Sequence, residues 1–344
     1  MAARTGLAPV LGIVARGLLS TEFPILAHLI VTRRCNLSCG YCNEYDDHSE
    51  PVPLDALRRR IAALARLRTA IVTVSGGEPL LHPELPEIIR AIREAGISAS
   101  LITNGFFLTR ERIEGFNEAG LQGLQISIDN LVPDAVSKKS LKTLDRKLQL
   151  LASYARFPVN INSVLGISEE RTVDAVTVAR RAVELGFSST VGVLHDGNGV
   201  LKPLGDRQRS AYRDIVAISG WGQRMNYRLF QKNLLEGKPN DWKCRAGARY
   251  LYVCEDGLVH WCSQQRGYPG IPVERYTVED LRREFDTRKD CAPHCTVSCV
   301  HQASILDNWR RKQDIPDPAA TRQGGAELVQ LGAPGPAQRE IANA

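Results

Sequence analysis

Short apolar runs alternate with longer amphipathic stretches over more than half of the chain. Six of these runs have the length and composition of strands, and they read ILAHLIVT, TAIVTVS, SASLIT, LQGLQIS, VNINSVLG and TVGVL. The stretches between them show the helical period, as at Leu57, Ile61 and Leu64. Gly96 and Gly120 lie where two of these helices should end. The pattern therefore predicts six strands that alternate with helices.

Strict alternation of strand and helix predicts the fold class. Parallel strands joined by helices need right-handed crossovers, which place the helices over the faces of a parallel sheet. We therefore predict an α/β fold, a partial (β/α)6 parallel barrel over residues 25–200, followed by a small cysteine-rich domain with a β-hairpin. Ligands of such sheets bind at the carboxyl ends of the strands, so functional residues are expected in the loops there.

Outside the barrel the chain divides into four further segments. Residues 1–24 contain LAPVLGIVARGLL, which is predicted to pack on the domain as a short helix, with a weak surface anchor as the alternative. Residues 201–242 are predicted to form a helical connection, and the cysteine-rich domain spans residues 243–312. Residues 313–344 are rich in Ala, Gly, Pro and Gln, a composition that predicts a disordered tail.

The composition is that of a globular protein and excludes several classes of function. Apolar residues make up 43% of the 344 residues, which is enough for a large core. The net charge of +6 is small and the Lys and Arg residues are scattered, so nucleic-acid binding is not expected. There is no apolar run of about eighteen residues and no secretion signal, so we expect no membrane span and a cytoplasmic location.

The nine cysteines fall into two groups that are about two hundred residues apart. An odd number of cysteines with short spacings and no secretion signal favours metal or iron–sulfur ligation over disulfides. The first group lies in CNLSCGYCNEY, directly after the first predicted strand, and comprises Cys35, Cys39 and Cys42. The second group comprises Cys244, Cys254, Cys262, Cys291, Cys295 and Cys299.

The first group has three thiols and lacks a fourth. Three thiolates on one loop can hold three irons of a 4Fe–4S cluster and leave the fourth iron open to another ligand. A structural zinc site is the competing interpretation, but it needs a fourth Cys or His, and none lies nearer in the sequence than His48. The missing fourth cysteine therefore favours an open iron–sulfur cluster.

This loop resembles the signature of the radical S-adenosylmethionine (radical SAM) superfamily, C-x3-C-x-aromatic-C, with Tyr41 at the aromatic position. Further motifs of the superfamily follow at the ends of the next three predicted strands, in the order SGGEP, TNG and SID. Each of these alone is an ordinary turn or helix cap. In this order they imply that the cofactor S-adenosylmethionine contacts Tyr41, Gly76, Gly77, Glu78, Asn104, Ser127 and Asp129.

The resemblance also assigns roles to some of these residues. Gly76 and Gly77 let the backbone approach a ligand closely, and Glu78 can accept a hydrogen bond from the ammonium group of the cofactor. In the fifth predicted strand, VNINSV places Asn160 and Asn162 on one face. Polar side chains on the inner face of a parallel strand are unusual, so these two are expected to line the cofactor site.

The resemblance implies a specific chemistry. The open iron binds the amino and carboxylate groups of S-adenosylmethionine, and an electron from the reduced cluster breaks the bond between the sulfonium and the 5′ carbon. The resulting 5′-deoxyadenosyl radical takes a hydrogen atom from the substrate, while the protein keeps out water. The expected partners are the cofactor, an unknown small-molecule substrate and an electron donor such as flavodoxin or ferredoxin.

The second group resembles the SPASM and twitch extensions of the superfamily, which bind auxiliary clusters. The spacing C-x12-G-x4-C ends at Cys262, and a hairpin signal at Asp256-Gly257 would bring its two cysteines together. Only six cysteines follow the first group, fewer than in the full SPASM pattern, which implies one auxiliary 4Fe–4S cluster. A four-thiolate zinc site is the alternative. The predicted ligands are Cys244, Cys262 and two of Cys291, Cys295 and Cys299, with Cys295 and Cys299 preferred.

Other residues carry weaker predictions. Cys254 precedes the hairpin turn and is either a buried strand thiol or a hydrogen-atom donor. His294 and His301 flank the last cysteines and are expected at the surface or beside the ligands rather than on the metal. Three residues after the sixth predicted strand are candidates for substrate contact by position alone: His195, Asp196 and Asn198.

The predicted function is a radical SAM enzyme that oxidises or epimerises a small-molecule substrate. Peptide modification and adenosylation of an isoprenoid lipid are alternatives within the family, the second supported only by the apolar N-terminal segment. A non-catalytic iron–sulfur redox or sensor protein is the alternative from another class. Formation of 5′-deoxyadenosine would separate the enzymes from the redox protein.

Overall fold

The computed structural model describes residues 7–42, 44–165, 169–193 and 204–310. The strands of this part are β1 Leu26–Ile30, β2 Ile71–Ser75, β3 Ser98–Thr103, β4 Leu124–Ile128, β5 Val159–Leu165, β6 Ser188–Val193, β7 Tyr250–Val253, β8 Leu258–Cys262 and β9 Gln265–Pro272. The α-helices are α1 Leu7–Leu19, α2 Leu54–Arg66, α3 Leu85–Glu94, α4 Arg110–Ala119, α5 Leu141–Tyr154, α6 Thr172–Glu184, α7 Asp206–Ile218, α8 Trp221–Asn226, α9 Lys232–Leu235, α10 Val278–Asp286 and α11 Ser298–Ser304.

The nine described strands form one sheet in the order β6-β5-β4-β3-β2-β1-β7-β8-β9. Strands β1 to β6 are parallel neighbours, which confirms the predicted α/β class. The hairpin of β7 and β8 is also confirmed. The sequence did not predict that β7 pairs with β1 in parallel, or that β9 extends the hairpin. The cysteine-rich region is therefore joined to the barrel through the sheet itself.

One face of the sheet is apolar and covered by helices. Leu57, Ile61 and Leu64 of α2 are almost completely buried in this core, as their spacing predicted. Gly96 and Gly120 follow α3 and α4 with φ of 77° and 82°, a left-handed conformation that glycine adopts without strain. Each buried apolar side chain contributes about 1.5–3 kcal/mol, so this core fixes the strands whose ends carry the functional loops.

The opposite face of the same strands is polar. Asn160 Nδ2 donates to Gln125 Oε1 on β4 at 3.1 Å and to Thr190 Oγ1 on β6 at 2.8 Å. On the neighbouring strands the hydroxyls of Thr73 and Ser100 lie 2.6 Å apart. Strands β1 to β6 contain no Asp, Glu, Lys or Arg, so the inner face of the barrel offers neutral hydrogen-bonding groups.

The edge strand β6 is closed by side chains from the segment that follows α7. Gln231 Nε2 donates to the carbonyl of Val191 at 2.9 Å, and the amide of Val191 donates to Gln223 Oε1 at 3.4 Å. Gln231 Nε2 also reaches Ser298 Oγ on α11 at 3.4 Å. An unpaired strand edge invites association with other chains, and these two glutamines occupy it.

A buried ion pair ties the N-terminal helix to the end of the described chain. Arg249 Nε and Asp307 Oδ2 are 2.8 Å apart, and both side chains are completely buried. The same guanidinium donates to the carbonyls of Gly17 at 2.8 Å and Phe23 at 3.1 Å. Arg249 therefore holds α1, the approach to β1 and the C-terminal helices in one arrangement.

Replacing Asp307 with alanine should lower the free energy of unfolding by about 3–5 kcal/mol, because it leaves the Arg249 charge buried without its carboxylate. Chemical unfolding followed by circular dichroism measures this change. The matched control is Glu114→Ala, which breaks the ion pair with Arg110 on the surface of α4 and should have almost no effect. An equally small effect of both substitutions would show that Arg249 does not depend on Asp307.

Candidate active site

The first cysteine group lies on a loop whose two ends are pinned together directly after β1. The amide of Cys35 donates to the carbonyl of Asp46 at 2.9 Å, and the amide of Asp46 donates to the carbonyl of Arg33 at 2.9 Å. Within the loop, the amide of Cys42 donates to the carbonyl of Cys39 at 3.0 Å. These bonds fold the short segment back on itself at the carboxyl edge of the sheet.

The three thiols of this loop are close enough to affect one another electrostatically. Burial raises the pKa of Cys35 to about 11, and the charges of Glu78, Cys42 and Cys39 act in the same direction. Burial also raises the pKa of Cys42, with a smaller contribution from Cys39. Since only thiolates bind metal, bound iron would have to displace these protons, and its positive charge would favour that.

Gly76 and Gly77 bring the loop after β2 against the backbone that leads to Cys35. The amide of Gly77 donates to the carbonyl of Thr32 at 2.9 Å. A Cβ on Gly76 would lie 2.1 Å from that carbonyl oxygen, and a Cβ on Gly77 would lie 2.2 Å from the carbonyl oxygen of Arg33. The two glycines are thus required for close approach between two parts of the chain, whatever ligand they also contact.

The Glu78 carboxylate is fully buried and is already occupied by hydrogen bonds from the chain. Its Oε1 accepts from the amide of Leu80 at 2.9 Å and from Thr103 Oγ1 at 2.6 Å, while Oε2 accepts from the amide of Asn104 at 2.7 Å. Glu78 therefore joins the ends of β2 and β3. The predicted contact between its carboxylate and the ammonium of a cofactor gains no support from this arrangement.

Asn104, from the TNG motif, lies directly beside the first cysteine. Its Nδ2 donates to Asn36 Oδ1 at 2.8 Å and lies 3.9 Å from Cys35 Sγ. Its Oδ1 accepts from the amide of Phe106 at 3.0 Å, which fixes the orientation of the amide. The end of β3 therefore positions a hydrogen-bond donor toward a sulfur that is a candidate metal ligand.

Tyr41 and Asp129 meet at the end of β4, together with a lysine that the sequence did not single out. Tyr41 donates its hydroxyl to Asp129 Oδ2 at 2.5 Å, and Lys139 Nζ lies 3.4 Å from the same oxygen. Burial, followed by the charge of Asp129, raises the pKa of Tyr41 far above its usual range, so the phenol stays protonated. The other oxygen, Asp129 Oδ1, is buried and has no partner within the described residues.

Ser127 and Asn162 are direct neighbours on β4 and β5, on the polar face of the sheet. Asn162 Oδ1 accepts from Thr190 Oγ1 at 3.0 Å. A Cβ at Gly192 would lie 2.9 Å from Asn162 Nδ2, so glycine leaves the room that this amide needs. Both predicted residues therefore face the interior below the cysteine loop.

His28 is a residue of this face that sequence reasoning missed. It lies in the middle of β1, and its ring contacts the ring of Tyr250 edge-on with centroids 5.3 Å apart. Burial lowers its pKa to about 4, so the imidazole is neutral, and it makes no hydrogen bond within the described residues. The alternation along ILAHLIVT could have revealed it. Since successive strand residues point to opposite faces, the pattern puts His28 on one face with Leu26 and Ile30, as the polar residue of that face.

Four cysteines of the second group are close enough to affect one another electrostatically. Burial raises the pKa of Cys262 well above its usual value, and the charges of Cys291 and Cys244 raise it further. Burial likewise raises the pKa of Cys295, with contributions from Cys291, Cys244 and Cys262. Because such effects weaken with distance, these couplings bring together Cys244, Cys262, Cys291 and Cys295.

Cys299 has different neighbours. Burial raises its pKa to about 11, a hydrogen bond with Tyr250 opposes this shift, and the charge of Glu44 adds to it. Tyr250 lies on the polar face against His28. Cys299 therefore lies at Tyr250, whose pKa the charge of Cys262 also raises, and the ligand preference drawn from the sequence stays a prediction.

Cys254 belongs to the second group in the sequence, but it directly follows β7, the strand that pairs with β1 at the base of the first cysteine loop. Its thiol donates to Glu255 Oε2 at 2.8 Å, and Glu255 Oε1 pairs with Arg33 at 3.1 Å. Burial raises the pKa of Cys254 to about 12, so the thiol is protonated. Its sulfur and the ligand atoms of Asp256 and His260 also lie within 4.8 Å of one another.

The remaining histidine candidates do not gather at either group. His301 is buried, and its ring stacks on Phe230 with centroids 4.1 Å apart. Burial lowers its pKa to about 4, which makes it a neutral packing residue. His294 is half-buried beside the last cysteines. The three candidates after β6 lie outside the described residues: His195, Asp196 and Asn198.

A parallel α/β sheet with three thiols on the loop after its first strand defines a barrel protein built to bind an iron–sulfur cluster. The chain belongs to the radical SAM superfamily, whose family model matches residues 29–198. Membership implies a 4Fe–4S cluster, S-adenosylmethionine and an enzymatic activity.

Two curated relatives indicate the range of the family around this chain. PqqA peptide cyclase of Ruegeria pomeroyi is 28% identical over 273 residues, which cover 75% of this chain and 73% of the relative. GTP 3′,8-cyclase of Chlorobaculum tepidum is 27% identical over 208 residues, 56% of this chain and 63% of the relative. Both relatives are named cyclases, one of a peptide and the other of a nucleotide.

Solved structures share the fold at low sequence identity. SuiB of Streptococcus suis, bound to its precursor peptide SuiA, matches 81% of this chain and 68% of its own with a TM-score of 0.57 and 15% identity. The enzyme anSMEcpe, with bound AdoMet and the Cp18Cys peptide, matches 83% of this chain and 98% of its own with a TM-score of 0.52 and 17% identity. At these identities the likeness concerns the fold.

The described residues fit the cofactors that the family implies. Three thiols occupy one loop without a fourth cysteine in it, Asn104 faces one of them, and the buried oxygen Asp129 Oδ1 lacks a partner. An unpaired buried carboxylate oxygen is costly, so it marks a place where a ligand hydroxyl or amine can donate. No helix in the described part of the chain is long and apolar enough to cross a membrane.

Proposed function

We propose that this protein removes a hydrogen atom from its substrate at the polar face of the barrel, and that it carries a second, auxiliary 4Fe–4S cluster. The observation that supports this best is the pinned loop of Cys35, Cys39 and Cys42 at the carboxyl edge of the sheet. When bound, the cluster and S-adenosylmethionine supply a carbon radical that can take hydrogen from an unactivated C–H bond.

The chain contributes binding, orientation and exclusion of water. Cys35, Cys39 and Cys42 would hold the cluster, and Asn104 would donate toward the first sulfur. The protonated Tyr41 and the charge of Lys139 fix one oxygen of Asp129, which leaves the other to accept from the cofactor. Backbone atoms next to Gly76 and Gly77 would line the same edge.

The substrate would lie against the neutral polar groups of the inner face. His28, Ser127 and Asn162 are half-buried there and carry hydrogen-bonding atoms. A polar organic molecule without a required charge fits these groups, which supports the small molecule predicted from the sequence. Oxidation of a carbon that bears a hydroxyl or amine, or epimerisation, would follow hydrogen removal.

A peptide substrate is the second candidate, and the comparisons favour it. PqqA peptide cyclase and the complex of SuiB with SuiA are both named for peptides. Amide groups of a peptide would also pair with the neutral polar face. Adenosylation of an isoprenoid lipid remains an alternative, and it would need an apolar lining in place of the polar residues of β1 to β6.

Anaerobic reconstitution tests the proposal. Protein reduced with dithionite and given S-adenosylmethionine should form 5′-deoxyadenosine, and a substrate labelled with deuterium should transfer the label into it. A complete absence of 5′-deoxyadenosine would leave the non-catalytic redox or sensor protein as the explanation. Peptides or small molecules encoded or made by neighbouring genes are the first substrates to try.

Cys254 is proposed as the hydrogen-atom donor of an epimerisation. Its protonated thiol follows β7, the strand next to β1, and its partner Glu255 pairs with Arg33 at the base of the first cysteine loop. A substrate radical would form near this edge of the sheet. Replacing Cys254 with alanine should preserve 5′-deoxyadenosine formation and abolish return of hydrogen from solvent to the product. If the Cys254→Ala variant still incorporates as much solvent deuterium into the product as the wild type, Cys254 is not the donor.

The auxiliary cluster is proposed to have Cys244, Cys262, Cys291 and Cys295 as ligands, on the strength of their mutual electrostatic effects. Cys291→Ala should therefore lower the iron content from about eight to about four per chain. Cys299→Ala is the matched control and should keep about eight. Loss of iron from the Cys299 variant, with full iron in the Cys291 variant, would favour the ligands preferred from the sequence, Cys295 and Cys299. Zinc in place of iron would favour the structural zinc site.

A further inference from the structure

Helix α1 is held firmly on the protein at its C-terminal end. The buried guanidinium of Arg249 donates to the carbonyl of Gly17 at 2.8 Å, and Arg310 donates to the carbonyls of Gly17 and Leu18. A Cβ on Gly17 would lie 3.0 Å from the side chain of Leu306, so this side of the helix fits closely against the protein. The helix is therefore a fixed part of the fold with one side packed.

Over residues 11–19, the other side of α1 is exposed and carries no charged group. Leu11, Leu18 and Leu19 are 62%, 46% and 87% exposed. Arg16 is the only charged residue among the 13 of the helix, and it turns inward, over the ring of Phe23 at 3.9 Å. An amphipathic surface helix normally has a polar solvent face, and this one has an apolar face in that place.

The surroundings of this apolar face are aromatic and cationic. Trp309 is 68% exposed and precedes Arg310, which bonds to the end of α1. Arg16 Nη2 donates to the carbonyl of the exposed Arg68 at 3.1 Å. Burial and then the charge of Arg68 lower the pKa of Arg16, so a second guanidinium lies nearby. Asp307 pairs with both Arg249 and Arg310, and Glu22 pairs with Arg282. Arg16 and Arg68 have no ion-pair partner among the described residues, so this end of the helix carries an excess of positive charge.

We propose that α1 lies on an anionic lipid surface, with Leu11, Leu18 and Leu19 in the apolar boundary. Exposed leucines beside a tryptophan and a positive rim are the features of an interfacial helix. Anionic headgroups would pair with the arginines, whose charge lacks enough carboxylate in the protein. A helix of 13 residues is about 20 Å long, so it can rest on a membrane and cannot span it.

A second copy of the chain fits this face less well. One side of a helix this long offers only about 200 Å², well below the roughly 800 Å² per partner of a stable interface. A two-fold dimer would also place the positive rim against itself. The lipid proposal does not depend on the reaction, so its failure and the failure of the proposed enzyme activity are separate results.

Sedimentation of the complete, cluster-loaded protein with vesicles tests the proposal. The probes are vesicles of phosphatidylcholine alone and of phosphatidylcholine with about one quarter phosphatidylglycerol. We expect most of the protein to sediment with the anionic vesicles at low salt, and much less with neutral vesicles or at high salt. Leu11→Glu combined with Leu19→Glu should lower the bound fraction by about tenfold or more.

The matched control is Val173→Glu, at a residue of α6 that is 60% exposed, which should bind like the wild type. Circular dichroism and iron content verify that both variants are folded and loaded. Wild-type protein that stays in the supernatant with anionic vesicles would overturn the proposal, as would a double variant that binds normally. A dimer in solution that the double variant lacks would identify a second copy as the occupant and overturn it as well.

Discussion

The variant in which Cys35, Cys39 and Cys42 are all replaced by alanine is expected to form no 5′-deoxyadenosine from S-adenosylmethionine. The three thiols are the only cysteines on the loop after β1, so their removal leaves no ligands for a cluster at the carboxyl edge of the sheet. Iron should fall from about eight to about four per chain, because the auxiliary site is separate. Liquid chromatography of the anaerobic reaction measures the nucleoside.

Two variants control this result. Cys299→Ala removes a thiol that lies against Tyr250, so it should keep both clusters and cleave the cofactor. Cys254→Ala removes a thiol near the loop and should also keep both clusters. Cleavage by the triple variant at the wild-type rate would mean that the cofactor binds elsewhere, and loss of all iron would mean that the two sites fold together.

Replacing Gly77 with alanine is expected to have the next largest effect. The new Cβ would lie 2.2 Å from the carbonyl oxygen of Arg33 and 2.5 Å from that of Arg34, and backbone atoms cannot rotate away. Overpacking of this kind costs about 1–3 kcal/mol. The backbone that must move leads directly into Cys35, so we expect loss of the first cluster in addition to lower stability.

Gly115→Ala on α4 is the matched control, because nothing lies within 4 Å of its added Cβ. Alanine is the better helix former by about 0.5–1 kcal/mol, so this variant should be slightly more stable and fully active. Iron content and chemical unfolding of both variants measure the contrast. If the Gly77 variant retains full iron, the cysteine loop tolerates movement of the backbone that leads into Cys35.

Local patterns in the sequence predicted the part of the fold that depends on neighbouring residues. The six parallel strands followed from the alternation of apolar runs, and the ends of α3 and α4 followed from Gly96 and Gly120. The hairpin followed from Asp256-Gly257. Each of these features is decided within about ten residues by periodicity and turn chemistry.

Pairing between distant segments could not be predicted in this way. The parallel contact of β7 with β1 joins residues more than two hundred positions apart, and either edge of the barrel sheet was open to it. The same folding decides which of Cys291 and Cys299 joins the other thiols, since each is four residues from Cys295 in the sequence. Spacing alone does not distinguish them.

The candidate site was likewise predicted only in part from the sequence. Motif order placed Asn104 and Asp129 near the cysteine loop, because carboxyl ends of parallel strands share one edge. Motif order did not reveal that the Glu78 carboxylate already accepts hydrogen bonds from residues after β2 and at the end of β3. Lys139 and His28 belong to no motif, and only their contacts with Asp129 and Tyr250 bring them into the site.

Electron paramagnetic resonance of the dithionite-reduced protein, with and without S-adenosylmethionine, tests most directly whether the first cluster has an open iron. We predict that the cofactor changes the signal of one of two clusters in the wild type. In the triple variant of Cys35, Cys39 and Cys42, only the auxiliary signal should remain, and the cofactor should leave it unchanged. A wild-type spectrum that the cofactor does not alter would contradict the account.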